Sequence, residues 1–267
     1  MNPGDLKKIA SFIAQRQEMG ESEWYLNPGL INPDKLITKL TPDHDRKNTA
    51  SEIITGEISA VKPTIEKEPC SLSNFSDDFI TGQKTFEELH DAVCGCMRCP
   101  LGQIRKNFVF GSGDPQADIM FIGEAPGADE DEQGLPFVGR AGKFLTKMIE
   151  SIKLSRDEVY ISNVLKCRPP GNRDPRPLEI EKCEPIFIKQ IEFIKPKIIF
   201  ALGRISGQTL LKVKSPLRAL RGKIHDYHGV KLIVSYHPAA LLRNSNWKPA
   251  AWEDLKFLRR EYDGLEL

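Results

Sequence analysis

Residues 117–124 read ADIMFIGE. The apolar run has no helical period, and it stops at a glycine followed by an acid. That is the signature of a strand buried on both faces. The same design returns as EVYISNVLKC at 158–167, KPKIIFALG at 195–203 and VKLIVSYH at 230–237. Helical patterns fill the gaps near 140–153, 177–194 and 204–213, and a last one covers 249–262. Strands alternating with helices predict an α/β fold: a single three-layer α/β/α domain around a short, mostly parallel sheet. Ligands of such sheets bind beyond the carboxyl ends of the strands. Four groups far apart in sequence should therefore meet on one edge: Glu124–Gly127, Asn163–Arg168, Gly203–Arg204 and His237–Pro238.

The chain of 267 residues has a formal charge of +1, so its overall charge names no partner. Its distribution says more. Residues 1–80 carry 9 Lys and Arg against 13 Asp and Glu, and the rest carries 29 against 24. An acidic leader precedes a mildly basic body, which permits nucleic-acid binding without demanding it. No apolar run approaches the ~20 residues of a membrane span, and the start has no signal-peptide core. The expectation is a cytoplasmic monomer that makes no membrane contact. In that compartment six cysteines are read as reduced thiols or metal ligands.

Leu6, Ile9, Phe12 and Ile13 form one helical stripe behind Asp5 as N-cap, so residues 1–26 are expected to be a helical segment. Residues 27–82 are expected to be a low-order, largely disordered linker, because polar residues and prolines dominate most of the stretch without a period. Residues 83–267 are then expected to form the folded domain.

Cys96 and Cys99 make a C-x2-C pair, with Cys167 and Cys183 further on. Two thiolates from one turn can share a metal centre, and the fold would have to bring in the second pair. Zinc and an iron–sulfur cluster both fit four cysteines. Cys94 adds a third local thiol, and Cys70 lies in the linker. The run Asp129–Glu132 looks like a cation site, but four adjacent acids cannot all face one ion. The expectation is that they form the solvated crest of a glycine-rich loop.

Five motifs in order carry a resemblance: CMRCPLGQIRKNFVFGSGDPQADIMFIGEAPG (96–127), DEQGLPFVGRAG (131–142), YISNVLKCRPPGNRDP (160–175), the later Cys183, and HPAALLRN (237–244). Together they resemble the family 4 uracil-DNA glycosylases, the iron–sulfur type, from about Phe86 to Tyr262. The resemblance implies one [4Fe-4S] cluster on Cys96, Cys99, Cys167 and Cys183. It also implies excision of uracil from single- or double-stranded DNA by base flipping and hydrolysis, as the first step of base excision repair.

By the same resemblance Phe137 stacks on the flipped base, Asn163 reads its edge, and His237 donates to O2 as charge develops there. Gly123, Ala125 and Gly127 line the pocket. Ala125 stands where better-known relatives have a water-activating Asp, which leaves Glu124 as the candidate for holding water. Leu241 is the expected wedge in the DNA stack, and Arg243 is expected at phosphate. Arg221 and Ser215, from the basic KVKSPLRALRG (212–222), complete the expected DNA contacts. Two other readings stay open: a glycosylase for another deaminated base such as hypoxanthine, and a non-catalytic iron–sulfur DNA-binding or polymerase-associated protein. CRPPGNRDPRP (167–177) lacks the histidine-bearing insertion of covalent uracil binders. The leader, with Trp24 and Tyr25, is expected to dock a repair or replication protein.

Overall fold

The computed structural model describes residues 75–265. The helix expected within 1–26, and the 27–82 stretch up to residue 74, lie outside the described residues. The end of that stretch is already part of the packed body. Asp77–Thr81 forms a short helix, α1, with the Ser76 hydroxyl accepting from the Phe79 amide, and Ile80 is fully buried. Helix α2, Phe86–Val93, starts at Thr85, whose hydroxyl accepts from the Glu88 amide. Ile80, Leu89 and Val93 pack with Phe110 and Ile186.

The remaining elements follow the predicted alternation. Strand β1 is Ser112–Gly113 and β2 is Ile119–Gly123. Helices α3, Ala128–Gln133, and α4, Arg140–Ser151, lead to β3, Tyr160–Asn163. Helix α5, Pro177–Ile194, leads to β4, Ile198–Leu202. Helices α6, Arg204–Leu211, and α7, Leu217–Leu220, precede β5, Ile224–Tyr227, and β6, Val230–Ser235. Helices α8, Pro238–Arg243, and α9, Lys248–Asp263, close the body. No helix among the described residues is long and apolar enough to cross a membrane.

The sheet order is β1-β3-β2-β4-β6-β5. The four central strands are parallel, and they are the four apolar runs of the sequence. The two edge strands run antiparallel and were not anticipated. Strand β5 joins β6 through His228 and Gly229, both at positive φ, as a two-residue hairpin requires.

Alternate strand residues face opposite helical layers. Phe121, Ile161, Phe200 and Ile233 pack under Leu145, Met148 and Ile149 of α4 and Leu255 and Leu258 of α9. Met120, Tyr160, Ile199 and Leu232 pack under Phe187, Ile191 and Ile194 of α5 and Leu210 of α6. Each fully buried large side chain contributes about 1.5–3 kcal/mol. The layered sandwich holds the carboxyl edge of the sheet rigid. Strand β2 sends its chain to β3 on one side, and β4 sends its chain to β6 on the other. The strand ends therefore open into a crevice, where this class of sheet takes its ligands.

Candidate functional site

The crevice gathers the expected residues. Gly123, the last residue of β2, pairs in register with Asn163, the last of β3. Asn163 is 2% exposed, and its Oδ1 is buried without a hydrogen-bond partner. A Cβ on Gly123 would lie 2.3 Å from that oxygen and 2.6 Å from Cζ of Phe137. Only a glycine leaves this space open. The ring of Phe137 lies 5.6 Å from that of His237, centroid to centroid, at 33°.

His237 caps α8 with Nδ1 accepting from the Ala239 amide at 3.1 Å. An accepting Nδ1 carries no proton, so the neutral ring holds its hydrogen on Nε2. Burial, and then the nearby Arg243 charge, push its pKa down to about 4. The ring is thus neutral at physiological pH and offers one N–H. Glu124 follows Gly123 at the mouth of the crevice. Burial, then the charge of Asp174, raise its pKa to about 7, while Arg204 opposes them.

The acidic run forms the expected solvated crest only in part, with Asp129 and Glu132 exposed and Glu130 and Asp131 turned to the chain. It forms helix α3 and uses two acids to tie chain segments together. Glu130 accepts from the Gly127 amide through Oε2 at 3.1 Å. Its Oε1 accepts from the amides of Val138 and Gly139 at 2.9 and 3.0 Å. Asp131 is 4% exposed and accepts from the Lys106 amide at 3.0 Å. Arg156 completes the clamp by donating to the carbonyls of Phe137 at 3.1 Å and Pro136 at 2.7 Å. Phe137 itself sits at φ +52°, a conformation that costs a non-glycine residue on the order of 1–3 kcal/mol. Gly142 leaves room for it, since a Cβ there would fall 1.8 Å from the Phe137 carbonyl oxygen. Glu130 and Arg156 were missed by sequence reasoning. The signal for Glu130 was present, because Gly127-x-x-Glu130 has the spacing of a helix N-terminal cap.

The cysteines separate into two groups. Cys96, Cys167 and Cys183 are buried free thiols, and Cys99 is partly buried. Cys167, Cys183 and Cys99 pack with Leu101 and Leu165, and Ala125 packs against the same cluster. Burial raises the pKa of Cys183 to about 11, and burial also raises Cys167 and Cys96. Neighbouring thiols in the set add to each shift. The Lys166 amide points at Cys183 Sγ at 3.4 Å, and Arg105 Nη1 at Cys167 Sγ at 3.5 Å. Among the described residues no three His, Cys, Asp or Glu side chains converge as the ligands of one ion do. Cys94 is not one of this set.

The expected DNA contacts divide. Arg243 is exposed at the end of α8, and Ser215 is half-buried, its carbonyl accepting from Gln208 at 2.9 Å. Leu241 is 1% exposed and belongs to the core under α4, whereas Leu242 is 45% exposed. The two are adjacent on a short helix and face different ways, Leu241 into the core and Leu242 into solvent. Arg221 is also held inside. Its Nε donates to Asp254 at 2.7 Å, and an Nη donates to the Ala250 carbonyl. It is a structural counter-charge for a buried acid.

Residues 110–256 match the family model described as the uracil DNA glycosylase superfamily. The chain is 47% identical over 184 residues to a type-4 uracil-DNA glycosylase of Sulfurisphaera tokodaii, covering 66% of this chain and 84% of the relative. It is 41% identical over 181 residues to that of Archaeoglobus fulgidus, covering 65% and 91%. A third, from Saccharolobus solfataricus, is 47% identical over 175 residues, covering 62% and 81%.

Proposed function

The chain belongs to the uracil-DNA glycosylase superfamily and excises uracil from DNA, and we propose that the crevice built from Gly123, Phe137, Asn163 and His237 performs the reaction. The observation that carries this reading is the buried, unpartnered Oδ1 of Asn163 beside the missing side chain of Gly123. A buried acceptor without a partner costs about 1–3 kcal/mol, and a ligand donor would recover it. Uracil supplies that donor at N3–H, and its O4 accepts from the same amide. Cytosine has a bare N3 there and a donor at C4, so it would leave both ends mismatched.

The flipped base lies against Phe137. As the N-glycosidic bond breaks, its electron pair moves onto uracil and leaves an oxocarbenium-like sugar. His237, neutral and with its hydrogen on Nε2, donates to O2 where the charge collects. A fixed donor of this kind contributes about 10²–10³ in rate. Glu124, with Ala125 beside it, holds the attacking water. The water oxygen bonds to C1′, its proton passes to the Glu124 carboxylate, and the uracil anion takes a proton from solvent. An abasic site remains.

The four thiols Cys96, Cys99, Cys167 and Cys183 fit one [4Fe-4S] cluster. Thiolates of such a cluster each take a different iron and need not converge on one point, unlike the ligands of a tetrahedral zinc. When bound, the cluster cross-links the C-x2-C turn, the end of β3 and helix α5. Nothing in the hydrolysis requires an electron from it. Leu242 takes the role of wedge in the stack, with Arg243 at phosphate. The remaining parts of the reading are residues 1–26 as a docking segment for a repair or replication protein, residues 27–74 as linker, and a cytoplasmic monomer.

The test is excision from single-stranded and duplex oligonucleotides that carry one uracil, one hypoxanthine or only normal bases. Release from the uracil substrate alone supports the reading. Release of hypoxanthine in preference to uracil would favour the alternative glycosylase, and no release of either would favour a non-catalytic DNA-binding protein.

A further inference from the structure

Tyr236 immediately precedes His237, and its ring is stacked on Trp247, centroids 5.3 Å apart and 16° from parallel. The Arg221 guanidinium lies 4.3 Å from the centroid of the same tyrosine ring. Arg221 is fixed in turn by Asp254, which also accepts from the Ser235 hydroxyl at 2.6 Å. An internal ion pair thus supports a guanidinium, then a phenol, then an indole. The last member of this stack is 41% exposed. Trp247 is thus both held in orientation and open to solvent.

We propose that Trp247 is a stacking platform for a nucleobase adjacent to the uracil on the same strand. The inference rests on the uracil-excision reading of the crevice. Three observations choose a nucleobase as occupant. Tyr236 directly precedes His237 in the chain, just past the end of β6, so a strand delivering uracil to the crevice brings its next bases near this surface. The exposed face follows α8, where Leu242 is also exposed and Arg243 supplies positive charge for a phosphate. The indole is already held, so stacking costs it little side-chain freedom. Every base has a flat face, so the contact is tolerant of sequence.

The test uses the full chain and single-stranded oligonucleotides carrying one uracil. Nucleotides on either side of the uracil are replaced one at a time by base-free sugar phosphates. In wild type, loss of one particular neighbouring base is expected to raise KM by roughly 5- to 150-fold, the range for stacking on an aromatic side chain. Trp247→Ala should raise KM on the intact strand by a similar factor, leave kcat at saturation unchanged, and abolish the response to that base. Trp247→Phe should stay close to wild type on both counts. The proposal is overturned if Trp247→Ala has wild-type KM, or if it remains as sensitive to the missing base as wild type. Polarisation binding of the same oligonucleotides without uracil reads the platform independently of base release. Failure of the platform and failure of the excision reading are therefore separate results.

Discussion

Replacing Glu130 with Ala tests how the crevice wall is held. One carboxylate accepts from three backbone amides, those of Gly127, Val138 and Gly139, all within 3.1 Å. A hydrogen bond to a charged group contributes about 1.5–3 kcal/mol when its loss leaves the partner dry. Glu130 is only half-buried, so water replaces part of what is lost. The expected destabilisation is roughly 2–4 kcal/mol rather than three full bonds. The same change frees Phe137 to leave its φ of +52°. That conformation costs on the order of 1–3 kcal/mol, and relaxing it moves the ring away from the base. Excision should then fall by roughly 10- to 100-fold in kcat/KM, by the arithmetic of 1.4 kcal/mol per factor of ten. The assay is steady-state excision on a uracil oligonucleotide, with thermal melting and iron content on the same samples. A lowered melt with unchanged kcat/KM would refute the claim that Glu130 positions Phe137. Loss of iron in step with activity would refute it too, since the effect would then run through the cysteines.

Glu124 has its pKa raised to about 7 by burial, so it is protonated below that value and a carboxylate above it. If it takes the proton from water, kcat rises with pH through about 7, and Glu124→Gln flattens the profile. The folded state binds this proton more tightly than the unfolded chain does, so wild type loses stability as pH rises through about 7. Glu124→Gln should accordingly melt higher than wild type at pH 8 and show no such gain at pH 4. His237, lowered to about 4, should produce no break in the profile between pH 6 and 8. Gly123→Ala puts a methyl into the space between Asn163 and Phe137, where overpacking costs about 1–3 kcal/mol; excision should be lost while iron content stays, as measured by single-turnover assay and absorbance. Arg221→Ala leaves Asp254 buried and unpaired, which costs about 3–5 kcal/mol, so denaturant melts should shift strongly. The salt slope of DNA binding should not change, since a residue at phosphate would lower it by about one.

The four central strands could be read from sequence because strands buried on both faces are written as continuous apolar runs. Strands β1 and β5 could not: Ser112–Gly113 is too short to carry a pattern, and Ile224–Tyr227 lies on an exposed edge with polar residues between its apolar ones. The strand-end rule was enough to bring Glu124, Asn163 and His237 to one edge, because it depends on topology alone. What side chains do within short elements was harder to see. Leu241 and Leu242 are equivalent in composition, and only the phase of α8, set by its His237 cap, decides which is buried. Arg221 looks like a surface cation until the fold brings Asp254 beside it. The acids 129–132 looked like solvated charge, yet Glu130 and Asp131 were committed to backbone amides that no linear pattern displays together.

The central claim is that a neutral His237 in this crevice drives release of uracil. It is tested most directly by single-turnover excision of a uracil oligonucleotide by wild type and His237→Ala, with iron content and melting temperature matched. The account predicts abasic sites with wild type and a rate about 10²–10³ lower with the variant, in an otherwise intact protein. Equal rates from the two, or no abasic product from wild type, would contradict it.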